Sequence, residues 1–169
     1  GIDLELSGNM NFFGNSELSG ITLAVDEINA KGGISGVPIR LVQGDNQSDA
    51  EKAKQTASDL IAQNKLSALI GPGISSNFIA AIPVVTQNSI PMISASATDP
   101  QTTVDKNGMV IPYAFRTPIT ESGQGVLAAN FAKDSLQAKT ASVYYQADDV
   151  FTKAMADAFT TSFTITGGN

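Results

Sequence analysis

Apolar positions change their period several times along the chain, and each change predicts an element. In Ile2-Asp3-Leu4-Glu5-Leu6 they alternate with acidic residues, the spacing of a strand with two unlike faces. Leu18, Ile21, Val25 and Ile28 then recur at intervals of three, four and three, which predicts one face of a helix. Gly32-Gly33 follows, where a left-handed residue commonly ends a helix. A second strand is predicted over 37–44 (VPIRLVQG). Ser48-Asp49-Ala50-Glu51 reads as a capping box opening a helix that carries Ala53, Ala57, Leu60 and Ile61 on one face. A third strand is predicted over 66–71, a helix with Ile79, Ile82 and Val85 over 75–87, and a fourth strand over 90–94.

These strands begin at residues 2, 37, 66 and 90, so they are 35, 29 and 24 residues apart. Such spacings suit right-handed β-α-β crossovers, and the fold class expected is α/β with a doubly wound parallel sheet. Ligands of such sheets sit outside the carboxyl ends of the strands. Three loops meet that description, at 7–15, 71–77 and 94–103.

Beyond about residue 116 the layout differs. YAFRT (113–117) reads as an extended link, followed by a helix from 121 to about 136. TASVYYQ (140–146) has the composition of a strong strand, and Phe151, Met155 and Phe159 mark another helix face. In the closing TGGN, Gly167-Gly168 suits a helix cap or turn. One strand and two helices do not make an independent sheet. This region is expected to be appended to the first unit, exchanged with another copy, or the start of a larger domain.

Composition narrows the chemistry. The 169 residues suit one domain or a little more, and 42% are hydrophobic, enough for a sizeable core. Only 15% are charged, against about 25% in ordinary soluble domains. The net charge is −6 and Lys and Arg are nowhere clustered, which argues against a nucleic-acid partner. The sequence holds neither Cys nor His. That removes thiol and imidazole catalysis and the usual zinc ligands, so no metal or cofactor is expected. The longest apolar runs fall short of the ~20 residues of a membrane helix. Because Gly1 opens almost inside a strand, the natural N-terminus is expected upstream.

Two loops then stand out. GPGISS (71–76) permits tight turning after a strand, with Ser75 or Ser76 able to cap the next helix. It reads either as a plain capped turn or as an anion site on helix N–H groups. It is neither a G-x-G-x-x-G fingerprint, since position 76 is Ser, nor a P-loop. In SASATDPQTT (94–103), capping accounts for Thr98-Asp99-Pro100-Gln101 but not for Ser94-Ala95-Ser96-Ala97, small residues that let a ligand reach the main chain. Two such loops at adjacent strand ends can hold a carboxylate and a nearby ammonium, the polar handle of a free amino acid. Asp148-Asp149 reads as a helix cap and Asp26-Glu27 as solvated, so acid–base catalysis has little support.

In order along the chain, SGNMNFFGNSELSGITLAVDEINAKGGISGVPIRLVQGDNQSD (7–49), LIGPGISS, IPMISASATDP, AFRT, SGQGVLAANF and ASVYYQADD resemble type I solute-binding proteins of branched-chain amino acid ABC importers. The same lobe occurs in amino-acid-sensing receptor ectodomains. The resemblance implies two α/β lobes joined by hinge strands that close on a ligand. Residues 1–117 would be the first lobe and 118–169 the start of an incomplete second lobe, the rest lying beyond Asn169. It implies that Ser75 holds the ligand's α-carboxylate, that Ser96 and Ala97 offer main-chain groups, that the Thr98 hydroxyl meets carboxylate or ammonium, and that Phe13 walls the side-chain pocket. The match departs after Asp148-Asp149, where the family carries Tyr then Gly and this chain has Val150-Phe151.

The expected role is therefore the extracytoplasmic substrate-binding component of an ABC importer, periplasmic or a surface lipoprotein, with no catalytic residues. Its partners would be a small amino acid or related solute and a membrane permease, and exposed apolar faces of the short second lobe could drive dimerisation or strand exchange. The alternatives are a receptor ectodomain on the same fold and a nucleotide-dependent enzyme, the latter opposed by the imperfect glycine loop.

Overall fold

The computed structural model describes residues 1–165, 167 and 168. Five strands form one parallel sheet: β1 (Ile2–Leu4), β2 (Gln43–Asp45), β3 (Leu69–Ile70), β4 (Met92–Ser94) and β5 (Ala114–Arg116), in the order β2-β1-β3-β4-β5. Ile2 lies opposite Gln43 on one side and Ile70 on the other, and Met92 lies between Leu69 and Ala114. Helices α1 (Asn11–Ala30), α2 (Ala50–Gln63) and α3 (Ser75–Asn88) make the first three crossovers. This is the doubly wound α/β arrangement that the strand spacing predicts. The strand order reverses between β1 and β3, which opens a crevice at their carboxyl ends.

Burial explains the arrangement. Ile2, Leu4, Leu69 and Met92 are fully buried, as central strands of a sheet covered on both faces require. Ala57 and Leu60 of α2 and Phe78, Ala81 and Val85 of α3 close on Leu69, Met92, Ala97 and Ala114. The alanines bring the helices close, and Phe78 is the largest fully buried side chain.

Several boundaries differ from the sequence expectation. The second strand is confined to Gln43–Asp45, because both main-chain groups of Ile39 are taken by the Asn29 side chain, at 2.7 and 3.0 Å. Val37 instead bridges back to Ile34. Asp49, not Ser48, caps α2, accepting from the Lys52 amide at 2.9 Å. Ser48 is occupied elsewhere: its hydroxyl donates to the Ser7 carbonyl and accepts from the Met10 amide. α1 starts at Asn11, so helix takes up half of the loop expected over 7–15. The link at 113–117 is a true strand, β5, because β4 offers a free edge. α1 closes at Gly32-Gly33 as predicted, with the Gly33 amide reaching the Ile28 carbonyl at 2.9 Å.

Chain contacts divide the protein into Gly1–Ala97 with Gln101–Pro118, and Thr98–Pro100 with Ile119–Asn169. In the second unit, α4 (Glu121–Asn130) is capped by Thr120 and runs into a π-helical turn, Phe131–Ser135. α5 (Val150–Ile165) opens on Asp149, whose carboxylate accepts from the Phe151 and Thr152 amides at 2.7 and 3.2 Å. The two helices approach closely at Gly125, where a Cβ would come within 2.4 Å of the Met155 carbonyl oxygen. Ala129, Ala156 and Phe163 are buried there, and Phe163 stacks on Phe159 at 5.5 Å. The strand expected over 140–146 is not formed. Its residues pair with no neighbouring strand among the described residues, and the Tyr144 side chain is fully exposed. Of the closing TGGN, Gly167 and Gly168 turn the chain as predicted, their amides reaching the Thr164 and Phe163 carbonyls, while Thr166 and Asn169 lie outside the described residues.

Candidate functional site

The loops after β3 and β4 lie side by side because their strands are neighbours with one polarity. Serine side chains tie them together. The Ser94 hydroxyl donates to the Pro72 carbonyl at 2.7 Å and accepts from the Ala97 amide at 3.0 Å, with the Ser96 amide at 3.4 Å. The Ser96 hydroxyl lies 2.9 Å from the Gly73 carbonyl oxygen and is also hydrogen-bonded to Glu17 Oε1, from α1. Three elements thus meet at Gly73. A Cβ there would stand 2.8 Å from Glu17 Oε1 and 3.0 Å from both Glu5 Oε2 and Ser96 Oγ, so any side chain at this position would push these oxygens aside.

Beneath these loops is a buried polar network that sequence reasoning missed. Glu5, just past β1, accepts from the Gly73 and Ile74 amides at 3.1 and 3.4 Å, and from the Asn46 and Asn77 side chains at 3.1 and 2.9 Å. A resident carboxylate therefore already occupies the first amides leading into α3. Asn46 also donates to Asp3 at 3.0 Å. Asp3 Oδ2 is buried without a hydrogen-bond partner. Burial pushes the Asp3 carboxyl up to about 8; the Asn46 bond opposes the shift and the charges of Glu5 and Asp45 add to it. At neutral pH Asp3 is thus largely a neutral acid. Asp45 behaves oppposite to this: burial alone would raise it, but the Ser7 hydroxyl and the Gln47, Ser7 and Leu6 amides hold it below the usual carboxylate range. Those bonds fix the chain between β1 and α1.

The sequence carried one usable signal for this network. Asp3 and Glu5 share one side of a strand that a doubly wound sheet must bury on both faces, and buried acids need partners.

Of the sequence-predicted residues, Ser96 and Ala97 share one turn, and Ser75 begins α3 two residues after Gly73. Ala97 is fully buried and its amide is directed at Ser94. Phe13 stands on the first turn of α1, 52% exposed and edge-to-face with Phe12. Thr98 belongs to the second unit, where its hydroxyl donates to Glu121 at 3.2 Å. Among the described residues no cluster of carboxylates suits a metal ion.

The model of the family described as periplasmic binding protein matches residues 1–169. An amino acid binding protein of Pseudomonas aeruginosa is 33% identical over 147 residues, covering 86% of this chain and 38% of that protein. A Leu/Ile/Val-binding protein homolog of Brucella abortus is 35% identical over 131 residues, 78% of this chain and 30% of that one. Among solved structures, the branched-chain amino acid transporter substrate-binding protein LivJ of Streptococcus pneumoniae, in complex with isoleucine, superposes with a TM-score of 0.79 at 34% identity. That match covers 96% of this chain and 45% of LivJ, so the chain spans less than half the length of the relatives it matches. The chain belongs to the periplasmic binding protein family.

Proposed function

We propose that residues 1–117 form the first ligand-binding lobe, and residues 118–169 the opening of the second, of a substrate-binding component for an ABC importer. The ligand is a free amino acid, branched-chain or similar. The observation that carries this reading is the pair of small-residue turns at the ends of β3 and β4, stitched by Ser94 and Ser96. The printed ligand of the Streptococcus relative, isoleucine, supports the same class.

In this reading Ser75, at the start of α3, receives the α-carboxylate on its own hydroxyl and amide, beyond the Gly73 and Ile74 amides that Glu5 already takes. Ser96 and Ala97 offer main-chain groups to the ligand, as the resemblance implies. Phe13 supplies apolar wall for an aliphatic side chain, and Thr98 is the remaining contact that the resemblance implies. Ligand binding favours a closed form, which a permease recognises. The chain acts by binding and performs no catalysis, and it works outside the cytoplasm. No helix among the described residues is long and apolar enough to cross a membrane.

An amide NMR titration of the full chain with isoleucine, leucine and valine tests the reading. Millimolar binding is expected, with shifts concentrated at Ser75, Ser96, Ala97 and Thr98 and lost in Ser75→Ala. An unchanged spectrum at ~10 mM, hence binding weaker than about −3 kcal/mol, would remove the amino-acid reading for this chain.

A further inference from the structure

The oxygens around Gly73 do not balance if Glu17 is ionised. The Ser96 hydroxyl sits between two oxygens, the Gly73 carbonyl at 2.9 Å and Glu17 Oε1. A hydroxyl carries one proton, and both neighbours are pure acceptors when Glu17 is a carboxylate. Two hydrogen bonds among these three oxygens need two protons. The second has one source, the Glu17 carboxyl itself.

We infer that Glu17 is a positioning residue that works as a neutral acid, donating to Ser96 Oγ while Ser96 donates to the Gly73 carbonyl, so that α1 locks the two site loops together.

Two independent observations agree. Glu17 Oε2 is buried and has no hydrogen-bond partner, a placement costly for a charged oxygen and far less so for a neutral acid. Glu5 also crowds the same glycine, and two ionised carboxylates beside one Cα repel each other. Burial raises the Glu17 pKa, the Ser96 bond counters it, and the Glu5 charge adds to the rise. The groups facing Glu17 are few. Loops 71–75 and 94–97 contain no titratable residue, which leaves Glu5 on the segment after β1, with Asp3 and Asp45 behind it. Loss of the Glu17 proton turns the Ser96 hydroxyl toward the new carboxylate and leaves the Gly73 carbonyl without that donor. Glu17 lies one helical turn after Phe13, so the proton also ties the wall of the proposed pocket to its floor. Only the word "pocket" rests on the amino-acid reading; the proton count stands without a ligand.

The test therefore uses the full chain with no ligand added. The side-chain carboxyl 13C of Glu17 and the amides of Gly73 and Ser96 are followed by NMR from acid to alkaline pH. A Glu17 midpoint above the usual carboxylate range, with both amides shifting at that same midpoint, is the expected result. In Glu17→Gln, whose amide donates to Ser96 at every pH, the two amides should stop following it. A midpoint within the usual range would show that Ser96 shares one proton between two acceptors, and would overturn the inference. A high midpoint with silent amides would overturn the positioning role. Neither outcome bears on whether an amino acid binds, which the ligand titration decides separately.

Discussion

The two units of this chain use similar sequence signals to different ends. In the first, short strands pair side by side into one five-stranded sheet, and α2 and α3 close over Leu69, Met92 and Ala114. In the second, TASVYYQ has equal or better strand composition, yet among the described residues it pairs with no strand, and Tyr144 is wholly exposed. Leu127, Phe131 and Ile165 also present more than half their surface to solvent. The contrast shows that alternation and β-branched residues specify which way a segment faces, not that it pairs. Pairing needs a neighbour with unsatisfied main-chain groups, and β4 offered one to Ala114–Arg116 although that segment reads only as a link.

The sharpest way to break the comparison is to delete an aromatic ring from each unit. Phe78→Ala removes the largest buried side chain of the first unit and is expected to cost roughly 3–5 kcal/mol in denaturant unfolding. Tyr144→Ala is expected to change stability by no more than ~0.5 kcal/mol. A large cost at Tyr144 would mean that the segment is ordered by contacts the fold does not show.

A pH series is the next largest effect and isolates the first unit. Asp3 holds its proton up to about pH 8 when folded, whereas in the unfolded chain it ionises near pH ~4. Between those limits the folded state binds more protons, so stability falls as pH rises through that window. Asp3→Asn should flatten this slope and be relatively more stable than the parent at pH 8, with equilibrium unfolding as the readout. Equal slopes in both proteins would show that Asp3 is ionised in the fold.

Two helix caps give the smallest and most direct contrast. Asp49 and Asp149 make the same bond to the first turn of α2 and α5. Each Asp→Ala change is expected to cost about 1 kcal/mol. For Asp49 the loss should appear in the unfolding of the whole first unit, and for Asp149 only in faster amide exchange along α5.

Much of the first unit was legible because its signals are local. The alternation at Ile2–Leu4 and the glycine pair after α1 each act within a few residues. The cap at Asp49 was misplaced by one residue, since Ser48 serves a partner 41 residues away. The polar network under the site was illegible for the same reason: Glu5 meets Asn46 across 41 residues and Asn77 across 72. Ser75, Ser96 and Ala97 could be picked out as small residues at strand ends, but not Glu17, which on α1 looks like any acid on a half-exposed helix.

The common direction of the five strands also has a practical consequence for handling the molecule. Every strand-to-helix loop lies on one rim of the sheet, so the return from α1 to β2, with the bridge between Ile34 and Val37, lies on the other. Ser35 is exposed on that return. Because the sequence contains no cysteine, Ser35→Cys would be the sole thiol, suited to carrying a dye or a surface linker while the opposite rim faces the solution.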